Sequence, residues 1–230
     1  MSGLRWQVPH EEYYLLADTE RSWTIYLDVH ASYPDAILIG GWASWLHTRA
    51  ARSHDIDLIV DASCLHDMKD ALDLTENYNL GTAKWRGEYD GIHLDVYATY
   101  RSRLGTRLQL PVEHLVEHRL DIDGYPTVTK EALLVAKAAA RLDRPDTLPG
   151  RKDADDMTRM LLDGDEPWNF SLVGRIADRA LPKEGTGSAL VLEAIAGLED
   201  EELGRRRARQ LRELARLVQG VFLESRSYVP

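Results

Sequence analysis

Asp55 and Asp57 stand two residues apart in the run Asp55-Ile-Asp-Leu-Ile-Val60, where Ile56, Leu58 and Val60 alternate with them. In an extended strand such positions share a face, so this spacing aims two carboxylates into one site. Further on, Ile92-His-Leu-Asp-Val-Tyr97 puts Ile92, Leu94 and Val96 on one face and His93, Asp95 and Tyr97 on the other, so Asp95 is a third acid able to join them. Clustered carboxylates repel one another, and keeping them ionised calls for a compensating cation. Hard oxygen donors suit Mg²⁺ or Mn²⁺, and Mg²⁺ characteristically binds one or two carboxylates together with substrate phosphates. Upstream, Ala36-Ile-Leu-Ile39 reads as a buried strand closed by the glycine turn Gly40-Gly41, which opens a short helix. Backbone N–H groups in that setting receive phosphate.

A second group of chemically able residues lies in the other half. Ala132-Leu-Leu-Val-Ala-Lys-Ala-Ala-Ala140 is apolar on every side except for Lys137. A helix of that kind is buried, and its lysine needs either a partner or an anionic ligand. Arg141 follows one turn later. Gly150-Arg-Lys-Asp-Ala-Asp-Asp-Met157 then opens another helix with Asp153 and Asp156 one turn apart, although a helix-starting Asp is also favoured by the helix dipole alone. Ser53, Arg49 and Arg52 stand near enough to the glycine turn and Asp55 to reach phosphate, solvated surface arginines being the equal alternative. His54 reads as a polar residue at a strand edge, and His93 shares the predicted face of Asp95.

The elements that must position these residues follow from periodicity. Residues 10–31 read as a helix broken by Ser32-Tyr-Pro-Asp35, and Trp42, Trp45 and Leu46 share one face of the helix after the glycine turn. Asp61-Ala-Ser63 can cap a helix through Leu65, Met68 and Leu72. Leu80 to Trp85 and Glu88 to Tyr97 read as a hairpin turning at Asp90-Gly91. After a basic stretch (Arg101, Arg103, Arg107) and a turn at Asp123-Gly124, Thr129 can cap a helix running to about Leu142. Helices are expected from there on, over about 151–163, 169–180, 188–198 and 200–225. The last carries an apolar stripe (Leu203, Leu211, Leu214, Val218, Val221) beside a basic one (Arg205, Arg209, Arg212, Arg216). Glu201 and Glu202 can pair with Arg205 and Arg206, which makes a solvated face the default and an RNA-docking surface the alternative. The change of character near residue 128 suggests an α/β half over residues 1–128 and a helical half over 129–230.

The order apolar–Gly–Gly, spacer, acid–apolar–acid–apolar, with a third acid on a later strand, resembles the DNA polymerase β-like nucleotidyltransferase superfamily. Here it is carried by Ile39-Gly40-Gly41, Asp55-Ile56-Asp57-Leu58 and Asp95. That resemblance implies an α+β fold with a small mixed sheet flanked by helices before the helical half, a glycine turn holding an NTP triphosphate, and Asp55, Asp57 and Asp95 as ligands of Mg²⁺ or Mn²⁺. Ser53 matches a Thr or Ser common in a bacterial branch. Lys137, Arg141, Lys152-Asp153 and Asp156 are similar to the helical motif of AbiEii-type nucleotidyltransferase toxins. By that resemblance Lys137 binds nucleotide phosphate, and Asp153 or Asp156 orients it.

The resemblance implies transfer of a nucleoside monophosphate to an acceptor hydroxyl, with RNA (a tRNA 3′ end) as acceptor and an antitoxin protein as partner. Two other readings stand beside it: an aminoglycoside-type enzyme acting on a small molecule, and a non-catalytic binding module. Composition narrows the field. The chain of 230 residues has a formal net charge of −10, 44% hydrophobic and 29% charged residues, and one cysteine, Cys64. The charge argues against nonspecific coating of nucleic acid, and a single cysteine excludes an internal disulfide and a multi-cysteine metal site. Nothing approaches the roughly 18–20 apolar residues of a membrane span, and the N-terminus lacks a signal-peptide pattern, so a cytoplasmic protein is expected.

Overall fold

The computed structural model describes residues 13–79, 82–163, 167–198 and 205–226. In chain order the elements are α1 (Leu16–Ser32), β1 (Ile37–Ile39), α2 (Gly40–Thr48), β2 (Ile56–Val60), α3 (Ala62–Ala71), β3 (Thr75–Asn79), β4 (Thr82–Tyr89) and β5 (Ile92–Ala98). There follow β6 (Arg103–Leu104), β7 (Leu108–Pro111), α4 (Val112–Val116), β8 (Arg119–Ile122) and β9 (Tyr125–Val128). The remainder is α5 (Lys130–Asp143), α6 (Leu148–Asp163), α7 (Phe170–Asp178), β10 (Leu181–Pro182), α8 (Gly187–Ala196) and α9 (Arg205–Arg226).

A five-stranded mixed sheet, ordered β1-β2-β5-β4-β3, organises the first half. Only β2 and β5 run parallel; the other neighbours are antiparallel. The β4–β5 turn has positive φ at both Asp90 and Gly91, and the β8–β9 turn repeats this at Asp123 and Gly124. That pair of conformations matches the right-handed twist of the strands, and Asp-Gly supplies it at little steric cost.

Each face of the sheet feeds a different core. Leu38, Leu58, Leu94, Val96 and Trp85 pack with Tyr26, Val29, Leu65 and Met68 of α1 and α3. Trp42 joins them, its indole N–H donating to Ser22 Oγ at 2.9 Å. Ile37, Ile39 and Ile59, on the opposite face, pack into a cluster that also contains Leu133, Leu134, Val135, Met157, Val173 and Val191. One hydrophobic core therefore runs across residue 128. Thr129 caps α5, its hydroxyl accepting from the Ala132 N–H, and α5 is enclosed on nearly all sides.

Several elements differ from the sequence expectation. Chain pairing with β5 keeps β4 extended through Arg86 and Gly87, beyond the expected stop at Trp85. β3 was not expected, because Thr75-Glu-Asn-Tyr-Asn79 is an edge strand whose first three residues are exposed and show no apolar alternation. The stretch read only as basic holds β6, β7 and α4, and the turn at Asp123-Gly124 joins the unforeseen β8 and β9. Asp61 precedes α3 without capping it; its carboxylate accepts from the Thr99 hydroxyl at 3.3 Å instead. The expected helical starts at residues 10–12 and 200–204 lie outside the described residues. Among the described residues, no helix is long and apolar enough to cross a membrane.

Because the core is shared, damage to one half should reach the other. Leu133→Ala, at a fully buried site of α5, is expected to cost about 2–4 kcal/mol. Urea midpoints by tryptophan fluorescence, dominated by the tryptophans before residue 86, and by far-UV circular dichroism should fall together. Separation of the two midpoints would contradict a common core.

Candidate active site

Between the sheet and the helical half lies a cavity of about 670 Å³, lined by the glycine turn, the acids of β2 and β5, and residues of α5 and α6. α2 begins directly at Gly40, which has φ +69°, and a Cβ there would collide with the Asp57 carboxylate. At Gly41 a Cβ would come within 2.5 Å of Ser53 Oγ. Glycine is thus required at both positions, because the acid of the facing strand and the serine before it occupy the space. The helix starts over the cavity, where its first N–H groups have no intrahelical acceptor.

Asp57 is the register partner of both Ile39 on β1 and Asp95 on β5, so the two carboxylates sit side by side on one face. Burial, and next the Asp95 charge, push the Asp57 carboxyl up to about 6; Lys84 opposes this and Asp55 adds to it. Asp55 lies just before β2 and is more open, with His54 Nδ1 at 3.1 Å and His93 Nδ1 at 3.6 Å from its Oδ1. Ser53 is buried; its hydroxyl donates to the Asp55 carbonyl and accepts from Lys152 Nζ, both at 3.1 Å.

Asp95 is not an open ligand. Arg86, directly across the strand pair, donates Nε to Oδ1 at 2.7 Å and Nη2 to Oδ2 at 2.8 Å, and Lys84 Nζ lies 2.5 Å from Oδ2. Burial works against ionisation, yet these donors hold the Asp95 carboxyl below its ordinary range. Among the described residues, no three His, Cys, Asp or Glu side chains group as a metal set. The pair Asp55 and Asp57 retains the donor chemistry for one hard cation completed by phosphate oxygens.

The opposite wall is built on Lys137. Its Nζ bonds Asp156 Oδ2 at 2.6 Å and Asp153 Oδ1 at 3.2 Å, and all three side chains are buried. Burial opposes the charge on Lys137, but Asp156 and Asp153 raise its pKa above the usual lysine value. Asp153 also accepts two bonds from Arg144, at 2.8 and 3.1 Å. Lys152 extends over the Tyr14 ring at 4.7 Å, and burial, reinforced by Lys137, lowers its pKa. Lys137 and Asp153 line the cavity, whereas Asp156 stands behind them.

Other expected residues lie elsewhere. Arg52 turns toward Glu20 of α1 at 3.7 Å and does not line the cavity, and Arg49 pairs with Asp123 while stacking on Trp45. Arg141 is bonded to the Pro145 carbonyl. On α9, Arg209 of the basic stripe bonds Glu213 at 2.9 Å, and Arg207, outside that stripe, bonds Asp163. Sequence reasoning missed Lys84, Arg86 and Arg144. The first two were detectable: Lys84 and Arg86 flank the apolar Trp85, so alternation sets them on the face opposite its side chain, which is the Asp95 face.

A carboxyl with pKa raised in the fold favours folding only when protonated. The penalty from Asp57 is absent below its unfolded pKa near 4, grows up to about pH 6 and is constant above. Asp57→Asn should therefore raise the melting temperature at pH 7.5 by about 3–6 °C, with the gain shrinking toward pH 4.5. Lys137→Met strands the buried Asp156 carboxylate and leaves Asp153 to Arg144 alone; it should cost about 3–5 kcal/mol in urea unfolding, partly restored by adding Asp156→Asn.

No protein-family profile matches the sequence, and no curated protein matches it significantly. Solved structures similar to it include two at 13% identity each. An antigenic nucleotidyltransferase-like protein from Paracoccidioides brasiliensis aligns over 89% of this chain and 93% of that one, with a TM-score of 0.44. JHP933 from Helicobacter pylori aligns over 93% and 97%, with a TM-score of 0.48. Neither likeness assigns a role to any residue.

Proposed function

We propose that this chain is a metal-dependent nucleotidyltransferase that moves a nucleoside monophosphate from an NTP to an acceptor hydroxyl. The observation that carries the reading is the meeting, in one cavity, of a helix-starting glycine turn, the Asp55–Asp57 pair and the buried Lys137. The acceptor oxygen would attack the α-phosphorus, the bond from that phosphorus to the β-phosphate oxygen would break, and pyrophosphate would leave with the electron pair. The hydroxyl proton would pass to solvent.

Asp55 and Asp57 would hold Mg²⁺ (or Mn²⁺), which when bound supplies charge neutralisation of the triphosphate and lowers the pKa of the attacking hydroxyl. N–H groups of the first turn of α2 would receive phosphate oxygens. Lys137, fixed by Asp153 and Asp156, would offer a cation that needs no reorganisation as charge moves onto the leaving group. Ser53 and Lys152 would hold Asp55's backbone and the edge of the glycine turn in place.

For the acceptor, the charge around the cavity favours RNA over a cationic drug. Lys84, Arg86, Arg103, Lys137, Arg144 and Lys152 line it, against Asp55, Asp57, Asp95, Asp143 and Asp153, in a protein whose overall charge is −10. That lining, one cation in excess, is far less acidic than the protein as a whole and is therefore the part of the surface better suited to a polyanion. Resemblance to AbiEii-type toxins adds a tRNA 3′ end as the acceptor, a toxin's role for the protein, and an antitoxin protein as the restraining partner.

Purified protein with Mg²⁺ and each α-labelled NTP should label total tRNA, and Asp55→Ala or Asp57→Ala should cut the rate roughly 100-fold or more. Label on aminoglycosides alone would replace RNA with a small-molecule acceptor. Absence of both transfer and NTP binding would leave the fold as a non-catalytic module.

A further inference from the structure

Resting on that reading, the row of charges across the sheet sharpens it. In order along the strands stand Arg86 on β4, Asp95 on β5 and Asp57 on β2, each the register partner of the next. Both oxygens of Asp95 are engaged, by three N–H donors in all, at 2.5 to 2.8 Å. A carboxylate offers about four acceptor positions, so one is left. Arg86 carries its charge at every relevant pH, and its planar fork meets the carboxylate in two parallel bonds.

The charge of this cluster follows by addition. Asp95 contributes −1 and Lys84 and Arg86 +1 each, a sum of +1. A divalent ion bound to a bare Asp95 would give the same sum. A second ion arriving beside Lys84 and Arg86 would meet two positive charges within a few ångströms, in a partly buried setting where such repulsion is strong. Both cations line the cavity, as Asp95 does.

We propose that the site works with a single divalent ion, held by Asp55 and Asp57, and that Lys84 and Arg86, seated on Asp95, take the place of a second. Asp95 is then a positioning residue for two cations, and the ammonium and guanidinium provide the positive charge beside the reacting phosphate. Carrying that charge on side chains makes it independent of metal concentration.

The test counts ions. Full-length protein is titrated with Mn²⁺ in the presence of a non-hydrolysable nucleoside triphosphate analogue, free Mn²⁺ being read by electron paramagnetic resonance and the fold checked by circular dichroism. Wild type should bind one tight Mn²⁺ per chain, and Asp95→Asn should still bind one. Removing both cations (Lys84→Met with Arg86→Met) frees the carboxylate and should bring the count to two; adding Asp95→Asn to that pair should return it to one. Two ions in the wild type, loss of the ion with Asp95→Asn alone, or a count of one in the Lys84/Arg86 double variant would overturn the proposal while leaving nucleotide binding intact. If wild type binds neither Mn²⁺ nor the analogue, the nucleotidyltransferase reading itself fails.

Discussion

The buried ion cluster of Lys137 with Asp153 and Asp156 is the interaction on which the cavity's helical wall depends. Taking a lysine out of water is tolerable only when opposite charge and hydrogen bonds replace its hydration, and here two carboxylates do so. The cluster fastens α5 to α6. α6 in turn carries Lys152, which reaches across to Ser53 beside the glycine turn. Two lysines in succession, Lys137 and Lys152, thus connect the helical half to the loop that precedes β2.

Charge in the cavity is arranged in two tiers. Asp95 and Asp153, and Asp156 behind them, are each bonded by protein cations, whereas Asp57 sits among carboxylates and, among the described residues, has no hydrogen bond to a cation. An unsatisfied acid is a cost to folding and an opportunity for binding, since anything positive that reaches it recovers the lost hydration. The contrast between Asp95 and Asp57, adjacent in register and opposite in the direction of their pKa shifts, arises from Lys84 and Arg86 lying nearer the former.

Much of this was legible in the sequence where one physical rule governs one stretch. Alternation in 55–60 and 92–97 set the acids on one face, and a helix apolar all round with one lysine implied burial and a partner for Lys137. Both Asp153 and Asp156 touch that lysine, so the sequence alternatives are complementary in the fold. What depended on distant pairing was not legible. The register that puts Asp57 beside Asp95, and Arg86 opposite Asp95, joins residues far apart in the chain, and no local period encodes it. The edge strand β3 was hidden because its exposed polar residues carry no burial signal. Residues 101–128 were hidden because their strands are only two to four residues long.

Ile37 and Ile39 of the sheet share a packed core with Leu133 and Val135 of α5, and that has a mechanical consequence. Two bodies joined by interdigitated side chains cannot swing as jaws do, because close-packed interiors shift between discrete arrangements rather than bending smoothly. Opening the space between sheet and helices would therefore mean repacking that core.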